Sequence, residues 1–234
     1  MPEAPATIVL VHGAWHGPWC WQLLTPNLQA HGHPVQLLEL PSVASAVPVG
    51  LEEDARHLTL VLNGISGPVI LCGHSYGGMV ISAADLAGAD VRQLVYLCAY
   101  MTEADESVES SLRRAGERRP GHWIRRHSDG RTSVDVRRAA ALFFNDCPDA
   151  IQSWAAAQLR PQWGQTLSQR CARPAWRAQA STYVVCGNDR VIAPCIQRAT
   201  YAARAQRVIS LASGHAPFLS QPLQLAQVLV SVAQ

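Results

Sequence analysis

The stretch Pro68-Val69-Ile70-Leu71-Cys72-Gly73-His74-Ser75-Tyr76-Gly77-Gly78-Met79-Val80 constrains the fold more than any other part of this chain. Its apolar start reads as a buried strand, its G-x-S-x-G centre as an abrupt turn, and the small residues from Met79 to Ala84 as a helix that can lie close to a sheet. Gly73 and Gly77 lack a β-carbon, so the strand can fold sharply back into the helix. Ser75 then takes a strained backbone conformation with its hydroxyl above the sheet edge. Two glycines around a serine also describe an ordinary solvated turn. The strand before it and the helix after it make Ser75 the candidate nucleophile.

Strand and helix alternate on either side of this unit. Thr7-Ile8-Val9-Leu10-Val11 is a continuous apolar run, as in a strand covered on both faces, and it ends in a glycine-bearing loop from His12 to Trp21. Trp19 to Ala30 has helical spacing, Val35 to Leu40 reads as a second strand, and Pro41 to Gly50 as a small-residue loop. Leu51 to Asn63 is amphipathic, with Leu51, Ala55, Leu58 and Leu62 on one stripe, and Val91 to Leu97 makes a fourth strand. This alternation predicts parallel strands joined by right-handed crossovers.

From Tyr100 the pattern breaks. Glu103, Asp105, Glu106 and Glu109 precede nine arginines between Arg113 and Arg138, and Trp123, Phe143, Phe144, Trp154, Trp163 and Trp176 are scattered through the same interval. Such a run is either a solvated helical insertion or a lid over the serine. The lid is preferred, because aromatics on a cap above a polar nucleophile build an apolar pocket. The core pattern returns at Ser181 to Gly187, followed by a helix from Ile196 to Ala203, a last strand from Arg207 to Leu211 and a closing helix from Pro217 to Val232. The expected organisation is a single domain, with its core about 1–100 and 178–234 and a cap about 101–177.

At 234 residues the chain suffices for one α/β domain with a substantial core. A formal charge of +2 gives no nucleic-acid surface, and the lack of any lysine excludes Schiff-base chemistry and the P-loop lysine. Seven cysteines without regular spacing, several inside apolar runs, argue against a disulfide framework. Met1-Pro2-Glu3-Ala4-Pro5-Ala6 has no basic n-region, and no apolar run reaches the roughly 18 residues that span a bilayer. A reduced, cytoplasmic setting without a membrane partner is therefore expected.

A serine hydroxyl needs a neighbouring base, and the base needs a third group to orient it. In a fold with this serine turn the chain order is Ser, acid, His, each after a strand. Ser75, Asp189 and His215 satisfy it. His215 competes with eight other histidines but alone follows the last strand after the acid. Asp189 competes with Asp105 and Glu103, and it is also placed to cap the next helix. His12 and His16 are spaced like some metal ligands, but Gly13, Gly17 and Pro18 make that segment a turn, and no metal or cofactor is expected. The donors for a developing oxyanion are assigned to the backbone N–H groups of Ala14 and Tyr76.

The loop His12-Gly13-Ala14-Trp15-His16-Gly17-Pro18-Trp19-Cys20-Trp21, the turn Gly73-His74-Ser75-Tyr76-Gly77-Gly78, Gly187-Asn188-Asp189-Arg190 and Gly214-His215-Ala216-Pro217 together resemble one branch of the α/β-hydrolase superfamily. This is the branch of plant methylesterases, hydroxynitrile lyases and related bacterial esterases. Phe143-Phe144-Asn145-Asp146-Cys147-Pro148 and Leu159-Arg160-Pro161-Gln162 are similar to cap segments of bacterial members. The resemblance implies an α/β-hydrolase fold, a mostly parallel six-stranded sheet flanked by helices with a helical cap insertion. Lyases of this branch carry a threonine after the first-loop histidine and a lysine after the catalytic histidine. Gly13 and Ala216 stand there in this chain, which disfavours cyanohydrin cleavage.

The expected activity is that of a serine carboxylesterase on small esters with an apolar or aromatic part, its pocket drawn from His12, Gly13, Trp15, Trp123, Phe144 and Trp154. The alternatives are a non-hydrolytic lyase or cyclase on the same scaffold and a slow-turnover ligand sensor. Dimers are common in the branch, so a homodimer is implied by the resemblance alone.

Overall fold

The computed structural model describes residues 4–116 and 122–233; Met1 to Glu3 and, within the arginine run, Arg118 and Arg119 lie outside the described residues. In chain order the strands are β1 (Thr7–Val11), β2 (Val35–Leu38), β3 (Pro68–His74), β4 (Asp90–Leu97), β5 (Ile124–Arg126), β6 (Arg131–Val134), β7 (Gln162–Trp163), β8 (Ser181–Cys186) and β9 (Arg207–Leu211). Six of them form one sheet in the order β2-β1-β3-β4-β8-β9. Every adjacent pair in it is parallel. Because the chain moves from β1 outward to β2 and then crosses back to β3, the strand order reverses between β1 and β3. The loops leaving the C-terminal ends of these two strands therefore flank the crevice where open α/β sheets bind ligands.

Central strands are buried along nearly their whole length, which is why they read as unbroken apolar runs. Around the sheet run α1 (Thr25–Ala30), α2 (Pro41–Ala44), α3 (Leu51–Asn63), α4 (Gly77–Ala83), α5 (Val108–Arg114), α6 (Val136–Phe143), α7 (Asp149–Gln158), α8 (Pro194–Ile196), α9 (Pro217–Ser220) and α10 (Pro222–Ala233). Packing of α1 against α10 and of α3 against α4 encloses the sheet. On α3 the stripe Leu51, Ala55, Leu58 and Leu62 is buried as expected, and so is one carboxylate, Asp54.

Proline and side-chain pairing set the departures from the sequence reading. The expected Trp19–Ala30 helix splits into a 3-10 turn over Pro18–Trp21 and α1, which has Pro26 in its first turn. The second strand stops at Leu38; the Leu40 N–H donates to His12 Nε2 at 3.2 Å, and Pro41 opens α2 inside the expected loop. The expected Ile196–Ala203 helix is a short α turn, a π turn over Gln197–Tyr201 and a 3-10 turn. The closing helix is interrupted at Gln221, ahead of Pro222.

The insertion between β4 and β8 is only partly helical. Alongside α5, α6 and α7 it holds a small antiparallel sheet in the order β5-β6-β7. Much of its charge is spent internally: Glu109 pairs with Arg126 at 2.8 Å, Glu106 with Arg114 at 2.7 Å, and Asp135 with Arg125 at 3.1 Å. All seven cysteines are unpaired, six of them buried and Cys195 exposed. Among the described residues no helix is long and apolar enough to cross a membrane.

Candidate active site

Ser75 sits between β3 and α4 with φ 51°, in the left-handed region that side-chain-bearing residues seldom adopt. The turn is tight enough that a β-carbon on Gly73 would stand 2.5 Å from the Gly77 carbonyl oxygen. The loop after β1 comes equally close, since a β-carbon on Gly13 would stand 2.9 Å from that of Ser75. Glycine at position 13 thus lets the first loop lie directly over the serine turn.

His215, on the loop after β9, is buried and bonds Asp189 Oδ2 through Nδ1 at 2.7 Å. A carboxylate accepts, so Nδ1 carries a proton and Nε2 is the nitrogen left to exchange one with a substrate or nucleophile. Asp189, on the loop after β8, is fixed from several directions. Its Oδ1 accepts from the N–H groups of Val191 at 2.7 Å and Ile192 at 3.0 Å, and its Oδ2 also accepts from Gln197 Nε2 at 2.8 Å. Asp189 does not cap the next helix as expected: α8 has Ala193 at its N-cap and no side-chain cap, and Asp189 Oδ1 instead closes the turn over Val191 and Ile192 while Oδ2 holds His215. The competing acids are elsewhere: Glu103 pairs with Arg177 and Arg204, and Asp105 lies in a separate turn.

Ser75, His215, Asp189, Ala14 and Tyr76 all line one cavity of about 420 Å³. Among the described residues the Ser75 hydroxyl and the N–H groups of Ala14 and Tyr76 make no hydrogen bond. An imidazole held through Nδ1, a serine hydroxyl and two buried main-chain donors thus line one space.

A model of the "Alpha/beta hydrolase family" matches residues 8–228. The chain belongs to the alpha/beta hydrolase family. "Alpha/beta hydrolase nvfD" of Aspergillus novofumigatus is 29% identical over 97% of this chain and 96% of its own. "Methyl jasmonate esterase 1" of Vitis vinifera is 25% identical over 100% of this chain and 99% of its own. The "Carbendazim hydrolyzing esterase" of a Nocardioides species is 39% identical, over 47% of this chain and 48% of its own. Plant methylesterases and an alpha-hydroxynitrile lyase of Arabidopsis thaliana also match, so the branch is the one the motifs resemble. Among solved structures a pyrethroid hydrolase of Sphingobium faniae superposes with a TM-score of 0.83 at 24% identity, covering 97% of each chain, which establishes the fold.

In this hydrolase the cavity wall is mainly apolar, with Trp15, Trp123, Phe143, Leu112, Leu167 and Ile196 prominent. Trp15 and Trp123 meet edge to face at 5.5 Å, one from the core loop and one from the cap. The other expected pocket residues do not line the cavity. His12 is buried as an anchor between β1 and β2, its Nδ1–H donating to the Gly13 carbonyl and its Nε2 accepting from Leu40. Gly13 is filled over by His74 and Ser75. Phe144 packs behind His16 and Phe143, and Trp154 packs on Trp19.

Several residues that hold the site have supporting roles that the sequence reading did not assign. Asp146, in the cap, accepts from the Gly214 N–H at 2.6 Å and from Ser213 Oγ at 3.0 Å, fixing the loop of His215. Its neighbour Asn145 donates to the Asn188 carbonyl at 3.2 Å and fixes the loop of Asp189. His74 Nε2–H and Cys98 Sγ–H both donate to the His215 carbonyl, at 2.9 and 3.5 Å. Burial holds the His12 and His16 imidazoles neutral, lowering their pKa to about 4 and about 3.

His74, Cys98 and His215 bring ligand-type atoms within 4.8 Å of one another. They do not fit a metal, because His74 and Cys98 already donate to a carbonyl and His215 Nδ1 to Asp189. Burial also pushes the Cys98 thiol well above its ordinary pKa, against the thiolate a metal requires.

Proposed function

We propose that this alpha/beta hydrolase is a serine carboxylesterase acting on small esters with an apolar or aromatic part. The observation that carries the reading is the buried Asp189–His215 pair on the same cavity as a serine held at φ 51°. His215 Nε2 takes the proton of Ser75 as Oγ bonds to the ester carbonyl carbon, and the N–H groups of Ala14 and Tyr76 receive the oxyanion. His215 then gives that proton to the departing alcohol, leaving an acyl group on Ser75. Water, deprotonated by the same imidazole, releases the acid and restores the serine. Asp189 holds the tautomer and offsets the charge on the imidazolium.

The esterases among its relatives support this class of reaction, and the wall of Trp15, Trp123 and Phe143 supports the substrate preference. Hydrolysis of p-nitrophenyl acetate is the test. Wild type turns it over and Ser75→Ala loses the activity; a Ser75→Ala protein as fast as wild type refutes the assignment. Hydrolysis in ¹⁸O-labelled water places one labelled oxygen in the acid product, whereas a lyase or cyclase places none.

A further inference from the structure

Asp54 is a buried carboxylate with no place in the mechanism above. It lies on the apolar stripe of α3, fully buried, with an oxygen 2.9 Å from the Tyr76 hydroxyl that donates to it. Ser42 donates to it twice, from the backbone N–H at 2.8 Å and from Oγ at 2.6 Å. The network then runs on into the cap. Gln162 Nε2 on β7 donates to Ser42 Oγ at 2.9 Å, and Gln162 Oε1 accepts the Trp15 N–H, also at 2.9 Å. Thr132 on β6 closes a loop, accepting from Trp15 Nε1 at 3.1 Å and donating to the Gln162 carbonyl at 3.2 Å.

The two ends of this chain are telling. Tyr76 carries one of the two proposed oxyanion donors, and Trp15 is bonded in sequence to Ala14, which carries the other. They stand on the loops after β1 and β3, neighbouring strands whose ladder ends at Val11 and Gly73, so beyond those residues their spacing depends on what holds the two loops. Burial raises the Asp54 carboxyl to about 6 even against its three donors, so the site keeps an unfavourable buried acid that an apolar residue on the same stripe would avoid.

We infer that Asp54 is a positioning residue that fixes the Ala14 and Tyr76 N–H groups relative to each other through Tyr76 on one side and Ser42, Gln162 and Trp15 on the other. The inference rests on the esterase reading and deepens it. A buried network with every member satisfied is stiff, and oxyanion stabilisation depends on donors that need not reorganise as charge develops.

The test uses Asp54→Asn and, as a milder variant, Tyr76→Phe. In each, kcat falls about tenfold to a hundredfold while KM stays within about twofold. An aryl trifluoromethyl ketone adds a second readout: its carbonyl carbon bonds Ser75 Oγ, the serine proton passes to His215, and the oxygen becomes an anion between the two donors. Its affinity falls by the same factor as kcat, and that of the unreactive methyl ketone holds. The double variant loses no more than the worse single one. Equal weakening of both ketones, an unchanged kcat with only a lowered Tm, or additive losses overturns the role. A wild type that hydrolyses no ester and binds neither ketone breaks the esterase reading instead. The inference is then still judged by the crystal structure of Asp54→Asn, in which the Ala14 and Tyr76 nitrogens change separation by about half an ångström or more. Unchanged separation overturns it.

Discussion

On the core side of the cavity, Asp189 and His215 are buried and tied by bonds from four directions, whereas on the cap side Arg138 is exposed and Glu109 is held by arginines from its own insertion. The two regions face one space but are built by different rules. Core groups are fixed by burial and by strands whose register leaves little freedom, which is what proton transfer between set atoms demands. Cap groups are surface charges that largely neutralise one another around an aromatic wall. On the proposed reading, chemistry belongs to the sheet's edge and substrate choice to the insertion. Asp146 and Gln162 cross that division, being cap residues bonded to core loops.

The largest expected effect tests the core half. His215→Ala lowers kcat/KM for a p-nitrophenyl ester by about 10⁴, with a Tm close to wild type. An activity within tenfold of wild type would remove the distinction altogether.

Acid stability separates the halves next, because the strongly perturbed histidines are core residues. His12 and His16 bind protons less well folded than unfolded, so the stability they allow is full above about pH 6.5 and is lost as pH falls toward 4. The loss at pH 4 is about 3 kcal/mol for each. Asp54 acts in the opposite sense, its raised pKa adding stability between about pH 6 and 4, by about 2 to 3 kcal/mol. Urea unfolding at pH 7, 5 and 4 should show a net decline that steepens in Asp54→Asn. A flat profile contradicts the burial of these histidines in neutral form.

Much of the core was legible from residue pattern. Parallel strands buried on both faces leave unbroken apolar runs, and Gly73, Gly13 and the order Ser75, Asp189, His215 record backbone demands that other residues cannot meet. Asp54 also left a trace, as a carboxylate interrupting the stripe of Leu51, Ala55, Leu58 and Leu62, but a sequence does not say whether such an acid is buried. Asn145 and Asp146 fall in a segment that resembles bacterial caps, but neither they nor Gln197 showed which groups they would hold, because the fold brings those partners from elsewhere. The cap misled for a related reason. The β5-β6-β7 sheet is short and charged, so no period-2 apolar signal marks it, and Phe144 and Trp154 pack inward where aromatic composition alone suggested a pocket wall.

A smaller effect probes the crossing residues. Asp146→Ala frees the Gly214 N–H and the Ser213 hydroxyl beside His215, and kcat should fall about tenfold with KM nearly constant. A change in KM alone would return Asp146 to the substrate-choosing half. The smallest effect belongs to the positive charge that lines the cavity. Among the described residues Arg138, on the cap, and Arg190, beside Asp189 on the core loop, line the cavity without an acidic partner, so changing both to glutamine should lower the kcat/KM ratio of a carboxylate-bearing aryl ester to its neutral counterpart about threefold to tenfold. An unaltered ratio would leave the aromatic wall as the sole source of selectivity.

The central claim is that Ser75 is the nucleophile activated by His215, and covalent labelling reaches it most directly. A fluorophosphonate forms a bond from phosphorus to an activated serine oxygen and releases fluoride, and peptide mass spectrometry locates the adduct. The account predicts one adduct per chain, on Ser75, formed far more slowly in His215→Ala. An adduct absent from Ser75, or formed at the same rate without the imidazole, would contradict it.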